Sequence, residues 1–95
     1  MKAVKLNRWD AANDLRDEQD IAAYLTAIAE ENDPALLLAA LGDVARARNM
    51  SKLAESAGLT RAGLYKALSG ASNPSFATVA KVAAALGLRL TITPA

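Results

Sequence analysis

The chain has no cysteine and no histidine. Without cysteine there is no disulfide framework and no sign of an oxidising compartment. Without either residue the usual zinc ligands are missing, as are Ser–His and Cys–His catalytic pairs, so no metal, cofactor or catalytic residue is expected. Aromatics make up only 4% of the residues, with a single Trp and a single Phe. Prolines number three. No apolar run reaches membrane-spanning length, and the start carries no apolar signal segment, so a cytoplasmic protein with no membrane contact is expected.

What is abundant is alanine, about a quarter of the 95 residues. Alanine favours helix but buries little area, so the core is thin and stability is expected to lean on dimerisation. The length suits one small domain.

The formal net charge of +1 hides a strong polarity. Residues 1–43 hold four Lys/Arg and nine Asp/Glu; residues 44–95 hold seven Lys/Arg and one Glu. A basic half that binds one partner and an acidic half with another task follow from this split.

The stretch Ser51–Ser69 reads as two short helices joined by a tight turn, the form of a DNA-reading helix-turn-helix. Ser51 is placed to cap the first helix. Leu53, Ala54 and Ala57 face inward at helical spacing. Gly58 falls where the chain leaves the helix, a position suited to positive φ. Leu59 plugs the turn, Thr60 caps the second helix, and Leu64, Ala67 and Leu68 form its buried stripe. Arg61, Ala62, Tyr65, Lys66 and Ser69 remain outside. An ordinary helical hairpin that touches no DNA is the bland alternative.

The flanks read as follows. Trp9 docks the 1–16 arm onto the domain or onto a partner protein. Residues 18–32 form an amphipathic helix, with Asp17 as its cap and Ile21, Tyr24, Leu25 and Ile28 on one face. Glu30 and Glu31 oppose the helix dipole at its end, where fraying is expected. Asp33-Pro34 starts a helix running to about residue 48, with Leu37, Leu38, Leu41, Val44 and Ala45 inward. Gly42 inside it costs about 1 kcal/mol against Ala, which a close helix crossing would explain. After the loop at 70–75, Ser75 caps a helix to about 86, with Phe76, Val79, Ala80, Ala83 and Leu86 inward. Gly87 ends it.

Residues 88–93 alternate apolar and polar, the only strand signal in the chain. A lone strand needs a partner, either a second copy or another protein's sheet edge, contacted through Leu88, Leu90 and Ile92.

Taken together, Asp20-Ile-Ala-Ala-Tyr-Leu25, Asp33-Pro-Ala-Leu36, Ala40-Leu-Gly-Asp-Val-Ala-Arg-Ala-Arg48, Gly63-Leu-Tyr-Lys-Ala-Leu-Ser69 and Asn73-Pro-Ser-Phe-Ala-Thr-Val79 carry a family pattern. The chain resembles, over nearly its whole length, the HigA-like antidotes (antitoxins) of bacterial addiction modules, within the lambda-repressor-type (Xre) helix-turn-helix proteins. The resemblance implies an all-α, lambda-repressor-like five-helix DNA-binding domain with a short C-terminal β-strand. It divides into an acidic arm and helix at 1–33, a DNA-binding core at 34–87 and the strand at 88–95, all within one compact unit.

It also implies a type II toxin–antitoxin role. The partners would be a basic RelE/HigB-like toxin, a second copy of the chain, and double-stranded DNA carrying an inverted repeat in the module's own promoter. The DNA contacts fall on Thr60, Arg61, Ala62, Tyr65, Lys66, Ser69, Asn73 and Ser75. Arg61 is suited to guanine O6 and N7, and Tyr65, Ser69, Asn73 and Ser75 to phosphate. Trp9, Ile21, Tyr24 and Ile28 form a toxin-docking face. The alternatives are a stand-alone phage-type repressor with no toxin, or a toxin inhibitor with little DNA binding. An enzyme is not expected, since Glu30, Glu31 and Asp33 cluster with no base, nucleophile or metal constellation beside them.

Overall fold

Side-chain oxygens three residues ahead of unpaired backbone N–H groups set most helix starts. The computed structural model describes residues 12–70 and 73–94. Five helices lie wholly within these: α1 (Glu18–Ala29), α2 (Pro34–Ala47), α3 (Met50–Ala57), α4 (Arg61–Leu68) and α5 (Phe76–Ala85). Asp17 accepts from the Asp20 N–H at 2.9 Å, Asp33 from Leu36 at 3.2 Å, Thr60 from Gly63 at 2.9 Å and Ser75 from Thr78 at 3.1 Å. Each satisfies a donor that the first helical turn leaves open.

The start of α3 differs from the sequence expectation. Asn49, not Ser51, is its cap, accepting from the Lys52 N–H at 3.0 Å. Burial decides this. Met50 belongs to the core, so the helix must begin early enough to carry it inward. Helix α1 is also shorter than expected, ending at Ala29. The chain then turns through Glu30–Asn32, where Asn32 has φ of 58°.

Helix α2 is central. It packs on α1, α3 and α4, while α3 carries α4 on one side and α5 on the other. Ile21, Val44, Leu64 and Val82, one from each of α1, α2, α4 and α5, are the largest fully buried side chains. Each contributes about 1.5–3 kcal/mol through burial. Ala40, Ala45, Ala54 and Ala57 are buried among the larger Leu41, Met50, Leu53, Leu68 and Leu86.

Phe76 was expected inward and is not. It is 73% exposed, at the first position of α5, while Val82, Ala83 and Leu86 take the core.

No strand occurs among the described residues. Residues 88–94 are irregular. A strand is a pairing of two backbones, and this single chain supplies no second edge. Leu88 is drawn back by its N–H bond to the Ala83 carbonyl at 2.9 Å and packs on the core. Leu90 and Ile92 stay exposed, Ile92 at 97%. Trp9 and the arm at 1–11 lie outside the described residues. Among those described, no helix is long and apolar enough to cross a membrane.

Candidate nucleic-acid interface

The pair α3 and α4 is joined by a turn of three residues whose geometry follows from Gly58. Its φ of 73° lies in the left-handed region, which a residue with a Cβ adopts at a cost. That conformation lets the Gly58 N–H reach the Glu55 carbonyl at 3.1 Å and the Leu59 N–H reach Ala54 at 2.8 Å. The crossed bonds close α3 and throw the chain sideways into Thr60. Leu59 packs on the core beneath the turn, as a plug there should.

Helix α4 then buries Leu64 and Leu68 and turns its other residues outward. Arg61, Ala62, Tyr65, Lys66 and Ser69 are all exposed, as are Thr60 ahead of the helix and Asn73 and Ser75 beyond it. All eight expected DNA-contact residues therefore lie on the surface. Three of them also have local duties. Thr60 and Ser75 accept the capping bonds already described. The Ser69 hydroxyl donates to the Lys66 carbonyl at 2.9 Å, closing the far end of α4.

Among the described residues, the charges on this face have no counter-ion. The ion pairs among the described residues are Arg16–Asp20 and Asp43–Arg46. Arg61 and Lys66, five residues apart on α4, therefore present cations that no carboxylate of the described residues holds. Such an arrangement suits a polyanion.

Helix α2 holds a feature the sequence reading passed over. Asp43 is buried in α2 and accepts from the Arg46 guanidinium at 2.7 Å. The i, i+3 spacing of Asp and Arg was the available signal. One residue earlier, Gly42 backs directly onto the last turn of α4.

The residues expected to dock a toxin divide. Ile21 is a core residue with 1% exposure and offers no face to a partner, which corrects its place on an exposed docking surface. Tyr24 and Ile28 are half-buried. Trp9 lies outside the described residues.

The described residues define a small all-helical domain whose α4 carries an exposed, cation-bearing outer face. Comparison with known proteins gives the family. The family described as "probable addiction module antidote protein" matches residues 5–94, and the chain belongs to it. A relative from Haemophilus influenzae, described as an uncharacterized protein, is 52% identical over 88 residues, covering 93% of this chain and 91% of its own. No solved structure matches. Membership of this family supports a non-enzymatic antidote role, and an antidote implies a toxin as partner.

Proposed function

We propose that the chain is a HigA-like type II antitoxin of the lambda-repressor type. It neutralises a basic RelE/HigB-like toxin and, as a dimer, represses its own promoter. Residues 1–33 serve the toxin, 34–87 read DNA through a helix-turn-helix made of α3 and α4, and 88–95 pair with a second copy. The observation that carries the DNA reading is the outer face of α4, where Arg61 and Lys66 stand exposed and unpaired.

Laid in the major groove, α4 offers Arg61 to a guanine edge, with Thr60, Ala62 and Lys66 near bases and Tyr65, Ser69, Asn73 and Ser75 near phosphates. A single copy covers one half-site. Two copies read half-sites about 34 Å apart, which requires an inverted repeat. The exposed Leu90 and Ile92 supply an apolar reason for residues 88–93 to pair across the two-fold axis.

Fluorescence anisotropy with promoter DNA at several salt concentrations tests the reading. Arg61→Ala weakens operator binding by about 1–3 kcal/mol and relaxes the preference at one base position. Lys66→Ala removes one cation; where that cation meets phosphate rather than a base edge, all sequences weaken alike and the salt slope falls by about one. Binding that ignored salt, or that neither substitution altered, would remove α4 from the groove.

A further inference from the structure

A groove of about 700 Å³ runs between α1, α2, α5 and the chain leaving α5. Leu25, Ala29, Leu37, Leu41, Val79 and Leu90 make much of its wall. No residue of α3 or α4 lines it, so an occupant leaves the outer face of α4 clear.

The charge around this groove is mainly acidic: Arg89 is the one basic residue of its lining, against Glu18 in the lining and Glu30, Glu31 and Asp33 just beyond it. Residues 17–45 contain seven Asp/Glu and no Lys or Arg. Of the seven, only Asp43 is buried. Glu18 stands at the start of α1 and lines one end of the groove. Glu30, Glu31 and Asp33 are exposed just beyond Ala29, which also lines it. An apolar slot with acids at either end of α1 is complementary to a segment whose apolar side chains are flanked by Lys or Arg.

We infer that this groove seats the toxin through such a basic-flanked apolar segment. The inference rests on the antitoxin reading above and names its surface. On the same reading a second copy of this chain pairs with residues 88–93, whose Leu88–Thr91 form one rim of the groove, and is the poorer occupant of the slot between α1, α2 and α5. A two-fold contact through the same face would set the acidic stretch against its own copy, and like charges in apposition oppose association.

Ala22 and Ala29 line the groove and are exposed, so Ala22→Arg and Ala29→Arg fill it without entering the core. The probe is the small protein encoded by the neighbouring reading frame, purified and titrated calorimetrically against the full-length chain. Each Arg variant is expected to bind it at least about tenfold more weakly, the scale of one lost anchor. A Glu30→Lys/Glu31→Lys variant is expected to bind several-fold more weakly and with a shallower salt dependence. Thermal midpoints and operator affinity stay at the native values.

Native affinity for the probe in both Arg variants would overturn the groove while leaving the antitoxin reading intact. A native chain that does not bind the probe overturns the antitoxin reading itself, and the groove with it. Arg variants that keep the probe but lose the native dimer in light scattering would show a second copy in the groove, and also overturn the inference.

Discussion

Gly42 stands against the carbonyl oxygen of Leu68, so close that a Cβ on Gly42 would lie 2.9 Å from it. The obstacle is backbone, not the free end of a side chain, and it belongs to the last residue of α4. The crossing of α2 and α4 is therefore set by the absence of one methyl group. Gly42→Ala gains about 1 kcal/mol of helix propensity. It loses about 1–3 kcal/mol by overpacking, because α4 must move outward or tilt. The expected net is a loss of about 1 kcal/mol, seen as a midpoint lower by about 4–8 °C in a thermal melt. Operator affinity falls with it, since the outer face of α4 shifts relative to the rest of the domain. A raised midpoint would show that the crossing tolerates the methyl.

Thr60 joins the turn to α4 through its bond from the Gly63 N–H at 2.9 Å. Removing the hydroxyl leaves that donor to water and loosens the turn of α4 that carries Arg61. Thr60→Ala is expected to cost about 1 kcal/mol of stability, and Thr60→Ser to restore most of it. The same order should appear in operator anisotropy, because a frayed first turn misplaces Arg61. Equal melts for the Ala and Ser variants would show that the cap contributes nothing.

The Asp43–Arg46 pair is asymmetric, with the Asp side chain 6% exposed and the Arg side chain 32% exposed. Arg46 can rehydrate when its partner goes; Asp43 cannot. Arg46→Ala is therefore the worse change, about 3 kcal/mol, because it leaves a buried carboxylate without its cation. Asp43→Ala costs less, about 1–2 kcal/mol. Their combination should be more stable than Arg46→Ala alone. Chemical denaturation of the four proteins measures this, and an additive cycle would show that the pair is not coupled.

Much of this architecture was legible in the chain because its signals are local. Asp17, Asp33, Thr60 and Ser75 each sit three residues ahead of an open N–H, and each caps as expected. Gly58 has the positive φ its place implied, and Gly42 has the close neighbour that would excuse it. The misses needed three-dimensional information. Ser51 and Asn49 are both good caps, and only the burial of Met50 chooses between them. Phe76 looks inward by type and period, but the first turn of α5 is left uncovered. The strand at 88–93 has the right alternation and no partner within one chain. For the candidate interface, the exposed side of α4 could be read from its buried stripe. Asp43 could not be singled out, because an acid next to the buried Val44 looks like any solvated residue until the fold buries it.

Asp20 gives the domain a pH dependence of known sign. Its carboxylate accepts the Arg16 backbone N–H at 3.0 Å and the Arg16 Nε at 3.4 Å. The backbone bond is the main reason its pKa lies below the ordinary 3.8, with the Arg16 side chain and charge adding to it against a smaller opposing effect of burial. A carboxylate whose folded pKa is depressed stabilises the fold above the unfolded value, and that stabilisation disappears as pH falls through the folded one. The contact ties the chain ahead of α1, with its buried Ala12, to the first turn of the helix. Acidification below about pH 4 should therefore loosen this entry, and Asp20→Asn should make the acid limb of the stability curve shallower. Melts at stepped pH, with the Asp20 carboxyl followed by NMR, check both statements. Superimposable acid limbs for the two proteins would mean that the contact adds nothing to the stability of the folded chain.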